Sequence, residues 1–439
     1  MSVIVVGAGL AGLTAAAGLL ARGIEVTVLE ARGRVGGRTH GVQVAPGQWA
    51  DGGGAYLGDR HTELTSMIRR HGLATTATTM TGSSRFAVGD APESATGRFP
   101  PLNAVALGDL FDRLYETVTP VRADAPWLTP DARRLDRLTV ADWLGESDVH
   151  DHARRFFPLF LGEMMAADPA EVSVLHLAFY LKSGGGIRYL NSFEGGAQAA
   201  RVDGGAHQLS EVLAARLGDR VHLNQPVRSI EQDRDRVTAR TDEAVHEASA
   251  LVVAVPPLLA DRIEFRPALP VRRATAATGR GCAIKVHLVY PEPLWRDHGL
   301  SGWSVSADGP LLSTVDDSPP GGVGVLTGFV TGRAAREFAL LDDPTRGKAV
   351  LTQVAGLFPG LPEPSGFHVT DWISDPYSRG CYAALFGPGD WLTLGPHLTA
   401  PHGRVHWAGT ETSTEFFGLM EGAIRSGRRA AAEITGLTC

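Results

Sequence analysis

The sequence predicts an α/β fold, in which a parallel sheet carries the main binding site and a second α+β domain is built from insertions. Three observations lead to this prediction. The apolar run from Val3 to Val6 precedes a glycine-rich turn and a helical stretch from Leu10 to Ala21. Near the C-terminus, Val405 to Trp407 precedes a stretch with small and apolar residues at helical spacing. At 439 residues, the chain also exceeds the usual size of one hydrophobic core.

The first turn has the spacing of a dinucleotide-binding fingerprint. Gly7, Gly9 and Gly12 follow the predicted strand, and Glu30 ends the next strand, Glu25 to Leu29. In such a turn the first glycine makes the tight bend, the second lets the backbone approach a pyrophosphate, and the third lets helix and strand pack closely. The helix N-terminus attracts the phosphates, and Glu30 is placed to accept hydrogen bonds from a ribose. The alternative, a glycine-rich turn without a ligand, is disfavoured by this order of strand, helix, strand and acid.

A second turn rich in glycine and arginine follows directly, at residues 31–39. Arg32 and Arg38 are candidate phosphate donors, and Gly36 and Gly37 permit a close backbone approach. This arrangement suits a cofactor that is buried along its length, and it resembles the GG-type two-dinucleotide-binding flavoproteins. The resemblance implies FAD, not a nicotinamide cofactor, and a Rossmann-like FAD domain. A solvated basic turn is the alternative.

Composition and charge exclude several other classes of protein. The chain has 44% hydrophobic and 20% charged residues, as soluble globular proteins do, and its net charge of −7 argues against a nucleic-acid partner. A basic leader and an apolar run of membrane-spanning length are absent, so we expect no membrane association and a cytoplasmic location. Cys282, Cys381 and Cys439 are far apart, which predicts neither disulfides nor zinc. The pair His150 and His152 is more typical of a solvated helix face, and no metal is predicted.

The order of predicted elements divides the chain into two interleaved domains. The FAD-binding domain is predicted to comprise residues 1–75, 203–274 and 375–439. The substrate-binding domain is predicted to comprise residues 76–202, which are mostly helical, and residues 275–374, in which strands alternate with Gly/Pro loops.

Several motifs in order resemble the flavin-containing monoamine oxidase family, and the resemblance covers essentially the whole chain. They are the N-terminal fingerprint and residues 195–198, 224–227, 283–286, 372–382 and 407–422. The resemblance implies a monoamine-oxidase-like fold with FAD as the cofactor. It also implies that a small-molecule amine is oxidised with O2 as the acceptor, giving an imine or aldehyde and hydrogen peroxide. Relatives form dimers, so a homodimer is compatible with the resemblance, but the sequence leaves the oligomeric state open.

The resemblance assigns cofactor-binding roles to residues along the whole chain. Those implied to hold the dinucleotide or to surround the flavin are Glu30, Arg32, Gly37, Arg38, Val227, Trp372, Thr410, Glu411 and Met420. Val227 is implied to pair its backbone with the adenine. Met420 is predicted to begin the last helix, whose dipole would stabilise negative charge on the reduced flavin.

Two further residues have chemical roles by resemblance. Cys381 aligns with the cysteine that is thioether-linked to the flavin in monoamine oxidases; the alternative is a small buried residue, the usual environment of a free cysteine. Lys285 aligns with a lysine that holds a water against flavin N5 and assists reoxidation by oxygen. The alternative is that Lys285 is a solvated residue at a sheet edge, as lysines on strands ordinarily are. Lys285 and His287 are expected on the same face of their strand.

The substrate pocket departs from the family pattern. Simple arylalkylamine oxidases flank the amine with two tyrosines; Tyr382 matches the first, but Leu419 stands at the second position. Leucine offers no electron-rich face to the amine. Phe416 or Phe417 are candidate substitutes for the missing ring.

Three other residues align with the walls of the pocket. Glu163 has two open interpretations: it holds the distal cationic nitrogen of a diamine, or it is a charge on a helix surface. Gln198 aligns with a pocket glutamine. Tyr56 and Leu57 occupy the region where amino-acid oxidases place a carboxylate-binding arginine, which disfavours an α-amino-acid substrate.

These observations predict an FAD-dependent amine oxidase, in which a neutral amine lies beside Tyr382 and loses a hydride equivalent to flavin N5. The protein supplies orientation and desolvation, and the flavin supplies the redox chemistry. Two alternatives stay open. One is a biosynthetic flavin oxidase that acts on a bulky secondary amine or amide, which the incomplete tyrosine pair motivates. The other is a flavin-binding scaffold without catalytic activity.

Overall fold

The computed structural model describes residues 1–89, 92–146 and 150–436; Cys439 lies outside the described residues. The α-helices of the described residues alternate with strands along the chain. They are Leu10–Leu20, Thr62–Arg70, Ala104–Val118, Ala132–Leu135, Val140–Glu146, Asp151–Met165, Val174–Ser183, Ile187–Leu190, His207–Leu217, Pro257–Ala260, Gly332–Ala339, Asp343–Leu357, Asp390–Leu394 and Met420–Thr435. Short 3₁₀ turns are formed by Pro126–Leu128, Pro169–Glu171, Gly218–Arg220, Leu294–His298, Gly395–His397 and Thr410–Thr412.

A five-stranded sheet with all neighbouring strands parallel, here called the parallel sheet, lies beside the glycine-rich N-terminal turn. Its strands, in spatial order, are Val221–His222, Glu25–Leu29, Ser2–Val6, Ala250–Val253 and Val405–Trp407. They come from all three stretches assigned by sequence to the FAD domain. The domain boundaries themselves stay predictions.

Both faces of the parallel sheet are covered, which explains its continuous apolar strands. Val3 and Val5 pack with residues of the helices Leu10–Leu20 and Met420–Thr435. Ile4 and Val6, on the opposite face, pack against a four-stranded sheet. The strands of that sheet, in spatial order, are Val245–Ala248, Val237–Arg240, Ser229–Gln232 and Glu264–Arg266.

A seven-stranded sheet, here called the large sheet, forms the other main layer. Its strands, in spatial order, are Gly366–Asp371, Ala283–Tyr290, Gly324–Thr331, Ser313–Asp316, Leu300–Ser306, Ser83–Ala87 and Glu93–Thr96. Smaller sheets pair Gly279–Arg280 with Ala384–Leu385, Gly41–Ala45 with Gln48–Asp51, and Ala200–Val202 with both Tyr56–Leu57 and Thr75–Ala77. In the described part of the chain, no helix has both the length and the apolarity needed to cross a membrane.

Two stretches contain elements that the sequence did not predict. Residues 76–202 form mainly helices, as expected, but Ser83–Ala87 and Glu93–Thr96 form the edge of the large sheet. There Ser83–Ala87 pairs with Leu300–Ser306 on one side and with Glu93–Thr96 on the other, so tertiary pairing decides their conformation. Residues 275–374, in which strands were expected to alternate with Gly/Pro loops, also form the helices Gly332–Ala339 and Asp343–Leu357. The second helix has a readable start signal, because the Asp342 carboxylate accepts a hydrogen bond from the Thr345 N–H at 2.9 Å.

Candidate active site

One continuous cavity runs from the N-terminal glycine-rich turn to the face of the large sheet. We call its two ends the nucleotide end and the chamber. The nucleotide end is lined by Gly7, Gly9, Glu30, Arg32, Gly36, Gly37, Val227, Leu259 and Ile263, and the chamber by Tyr56, Glu163, Met164, Tyr180, Leu190, Phe193, Gln198, Lys285, Trp303, Phe329, Cys381, Tyr382 and Leu419. The structure thereby brings together most of the residues that the sequence singled out.

Close packing at the glycine-rich turn explains two of its glycines. Gly7 has a φ of +102°, which a side chain would strain. A Cβ on Gly12 would lie 1.9 Å from the Gly7 carbonyl oxygen, so the helix packs this closely against the turn only because Gly12 lacks a side chain. The N-terminus of the helix Leu10–Leu20 consequently opens into the cavity.

Glu30 and Arg32 are already engaged by the protein at the nucleotide end. The buried Glu30 carboxylate accepts hydrogen bonds from the backbone N–H groups of Ala8, at 2.7 Å, and Arg32, at 2.9 Å. The Arg32 guanidinium pairs with Asp375 and donates to the Ser378 hydroxyl at 2.7 Å. Arg32 thus lies between the first turn and the 375–378 segment, not in a solvated basic turn.

Arg38, which is half-buried, forms a two-point ion pair with the buried Glu411. Its two terminal nitrogens lie 2.7 and 3.0 Å from the two carboxylate oxygens, and one of them also donates to the Tyr382 carbonyl oxygen at 2.7 Å. Burial alone would raise the pKa of the Glu411 carboxyl, but the Arg38 charge holds that pKa below its usual value. This pair ties the glycine-rich turn to the segment that carries Tyr382.

Lys285 is buried at the chamber, with 4% of its surface exposed. Its ammonium donates to the backbone carbonyl oxygens of Asp51, at 2.9 Å, and Gly53, at 2.7 Å, and lies 5.1 Å from the centre of the Phe329 ring. Burial lowers the pKa of Lys285, although the negative charges of Asp317 and Asp51 act to raise it. The alternative of a solvated strand lysine is wrong.

Tyr56 belongs to a buried polar network behind Lys285. Its hydroxyl donates to Asp317 at 3.3 Å, and Arg201 donates to the same carboxylate oxygen at 2.7 Å. Burial alone would raise the pKa of Asp317, but the charges of Arg201 and Lys285 hold it below its usual value. Burial also raises the pKa of Asp51 to about 7.

Cys381 and Tyr382 form one wall of the cavity, and Trp372, predicted as a cofactor-binding residue, does not line it. The Cys381 and Tyr382 side chains line the cavity, and the peptide bond that joins them is cis. Burial raises the pKa of the Cys381 thiol to about 11 and that of the Tyr382 phenol well above its usual value. Trp372 lies behind Cys381, packs with it and donates to the Gly52 carbonyl oxygen at 2.8 Å.

The last helix begins at the cavity, as predicted. It spans Met420–Thr435, and Met420 lines the cavity wall. Thr410 also lines the cavity, and its hydroxyl donates to the Leu419 carbonyl oxygen at 2.9 Å, which fixes the residue before the helix. A positive helix end therefore faces the cavity.

The second tyrosine of the family pattern has no aromatic substitute from the neighbouring residues. Leu419 lines the chamber, whereas Phe416 packs against His61 and Tyr189, and Phe417 packs in the core against His176 and Phe179. Neither phenylalanine lines the cavity, so their candidacy was wrong. The aromatic rings that do line the chamber belong to Tyr56, Tyr180, Phe193, Trp303, Phe329 and Tyr382.

Glu163 lies in the chamber wall, paired with an arginine that the sequence analysis missed. Arg98 forms an ion pair with Glu163 and donates to the Gln198 side-chain oxygen at 2.7 Å and the Asn191 carbonyl oxygen at 2.8 Å. Glu163 is therefore not a surface charge. No local spacing links Arg98 to Glu163, because only the tertiary fold brings their segments together.

Comparison with known proteins adds independent information. A family model described as flavin containing amine oxidoreductase matches residues 10–435. A flavin-containing amine oxidase of Danio rerio is 36% identical over 446 residues, which cover 98% of this chain and 85% of that protein. Among solved structures, a putrescine oxidase bound to putrescine superposes with a TM-score of 0.92 at 32% identity, covering 99% of both chains. Cyclohexylamine oxidase from Brevibacterium oxydans IH-35A gives a TM-score of 0.93 at 35% identity, covering 99% and 98%.

Proposed function

The chain belongs to the flavin-containing amine oxidoreductase family, and on that premise we propose that it binds FAD along the cavity and oxidises an amine in the chamber. The family resemblance and the fold class predicted from the sequence are thereby confirmed. The identity of the flavin as FAD, the roles of individual residues and the choice of amine belong to the proposal.

One observation carries the proposal: a single cavity joins a dinucleotide-type turn to an aromatic chamber. Gly7 and Gly9 line one end, and Tyr382 and Lys285 line the other. A long, two-part cofactor fits this shape, because it can place its nucleotide beneath the helix N-terminus while its reactive part reaches the chamber. The acid at the strand end, Glu30, faces the nucleotide end, where it suits a ribose.

A bound flavin would supply the two-electron redox chemistry, in which a hydride equivalent leaves the carbon beside the amine nitrogen and oxygen is reduced to hydrogen peroxide. The chain's own residues bind and orient the reactants. Tyr382 and the other rings of the chamber enclose an apolar amine and exclude water, which favours its neutral form. The Met420 helix end and the Lys285 ammonium supply fixed positive charge on the cavity wall.

We further propose that Cys381 carries the flavin as a thioether. In the net reaction, a C–S bond would replace the thiol S–H bond and one C–H bond of the flavin, and the two electrons and two protons released would reduce O2 to hydrogen peroxide. The thiol lines the cavity between Arg38 and Lys285, whose charges favour its thiolate against the effect of burial. Acid precipitation of the purified protein is expected to give a yellow pellet, and Cys381→Ala a colourless one. Cys282→Ala is the matched control, because Cys282 is buried away from the cavity. A colourless wild-type pellet would remove the linkage from the proposal.

A peroxide-coupled screen tests the proposed activity. The panel contains monoamines such as benzylamine and tyramine, the diamine putrescine, and bulky secondary amines. We expect amine-dependent peroxide with at least one small amine. Turnover confined to bulky secondary amines would instead support a biosynthetic oxidase, and a flavoprotein inert to the whole panel would support a scaffold. A cytoplasmic location and a homodimer stay predictions from the sequence.

A further inference from the structure

Arg98 is held in place by several contacts besides its ion pair with Glu163. Its side chain is 7% exposed, and its guanidinium carbon lies 4.8 Å from the centre of the Phe193 ring and 4.7 Å from that of Trp303. Trp303 also donates its ring N–H to the Arg98 carbonyl oxygen at 3.0 Å. Both rings line the chamber, so Arg98 is held directly behind its wall.

The pairing of Arg98 with Glu163 affects which amines the chamber can bind. Among the described residues that line the cavity, the acidic ones are Glu163, in the chamber, and Glu30, at the nucleotide end. An amine that carries a second ammonium group needs a negatively charged hydrogen-bond acceptor once it is buried, because an unpaired cation in an apolar cavity is costly. Glu163 is the one carboxylate of this lining placed to receive it in the chamber.

Arg98 already pairs with one oxygen, Oε1, of that carboxylate. Its guanidinium is bonded to Glu163 on one side and to the oxygens of Gln198 and Asn191 on the other, so it has little freedom to move away. The pair contributes almost no net charge to the chamber. A second ammonium would meet a neutralised carboxylate and a nearby positive guanidinium.

We propose that Arg98 is a specificity-determining residue. By neutralising Glu163, it makes the chamber select monoamines and reject diamines. This inference rests on the proposed function. It replaces both interpretations of Glu163 from the sequence, since the carboxylate lies in the chamber but its charge is already neutralised by Arg98.

Butylamine and putrescine test this proposal, because they share a four-carbon chain and differ by the second nitrogen. We expect wild-type kcat/KM to favour butylamine. Arg98→Met is expected to raise the putrescine-to-butylamine ratio of kcat/KM at least about tenfold, because the Glu163 carboxylate becomes available to the second ammonium. The double variant Arg98→Met/Glu163→Gln is expected to lose that gain.

Two controls keep the test decisive. Arg333→Met breaks an exposed Arg–Glu pair with Glu337 and is expected to leave the ratio unchanged. Arg98→Gln, which keeps a donor toward Glu163 but no charge, serves if the methionine variant does not fold. A wild-type preference for putrescine, or an unchanged ratio in the Arg98 variants, would overturn the proposal.

A binding measurement separates this proposal from the proposed function. Putrescine is expected to raise the Tm of the Arg98 variants but not that of the wild type. Should the wild type oxidise no amine in the screen, the proposed function fails, and the Tm comparison still decides whether Arg98 controls the charge that the chamber accepts.

Discussion

Lys285→Met is expected to slow the reoxidation of the reduced enzyme by oxygen about 100-fold, while the rate of reduction by amine changes only a few-fold. Methionine has a similar length but carries neither the charge nor the donors of lysine. An ammonium has three N–H donors, and the backbone carbonyls of Asp51 and Gly53 occupy two of them. The third remains for a water in the chamber, and a fixed positive charge there stabilises the negative charge that develops on oxygen; removing such a group costs two to three orders of magnitude.

Stopped-flow absorbance measures the two half-reactions of this variant separately. The enzyme is first reduced anaerobically by an amine and then mixed with oxygenated buffer. Lys348→Met, which removes an exposed lysine, is the control and is expected to match the wild type. Equal reoxidation rates for Lys285→Met and the wild type would show that Lys285 does not act on oxygen.

Arg38→Met is expected to lower the free energy of unfolding by about 3–5 kcal/mol, the usual cost of leaving one partner of a buried pair without the other. The Glu411 side chain is only 1% exposed and Arg38 22%, so water replaces the lost contacts poorly. The same substitution frees the Tyr382 carbonyl oxygen from its arginine donor. We therefore also expect weaker flavin retention.

Urea denaturation monitored by circular dichroism tests this expectation at matched flavin content. The double variant Arg38→Met/Glu411→Gln removes both charges and is expected to recover more than half of the lost stability, because no buried charge is left unpaired. A loss below about 1 kcal/mol for Arg38→Met, or no recovery in the double variant, would contradict the role assigned to this ion pair.

Local sequence patterns predicted the elements that hold the nucleotide end. The strand Ser2–Val6 and the helix Leu10–Leu20 lie where periodicity and glycine spacing placed them. The last helix begins at Met420, as the family resemblance implied. These features depend on contacts within a short stretch of chain. Gly12 illustrates the reason, since its packing against Gly7 is encoded within six residues.

Long-range pairing accounts for what the sequence did not reveal. Arg98 reaches Glu163 and Gln198 only through the folding of separate segments, and the network of Arg201 and Asp317 joins two others. Ion pairs between distant segments follow no periodicity and no fixed spacing in the sequence, so the sequence alone does not indicate them. Phe416 failed as a pocket residue because its ring packs against His61 and Tyr189, which lie far from it in the sequence.

Anaerobic titration with an amine that is active in the screen measures the central claim most directly. If the cavity joins a bound flavin to an amine in the chamber, the flavin absorbance near 450 nm is expected to bleach with about one equivalent of amine per flavin and to return when oxygen is admitted. A flavin that stays oxidised in the presence of every amine, while dithionite reduces it readily, would contradict the account.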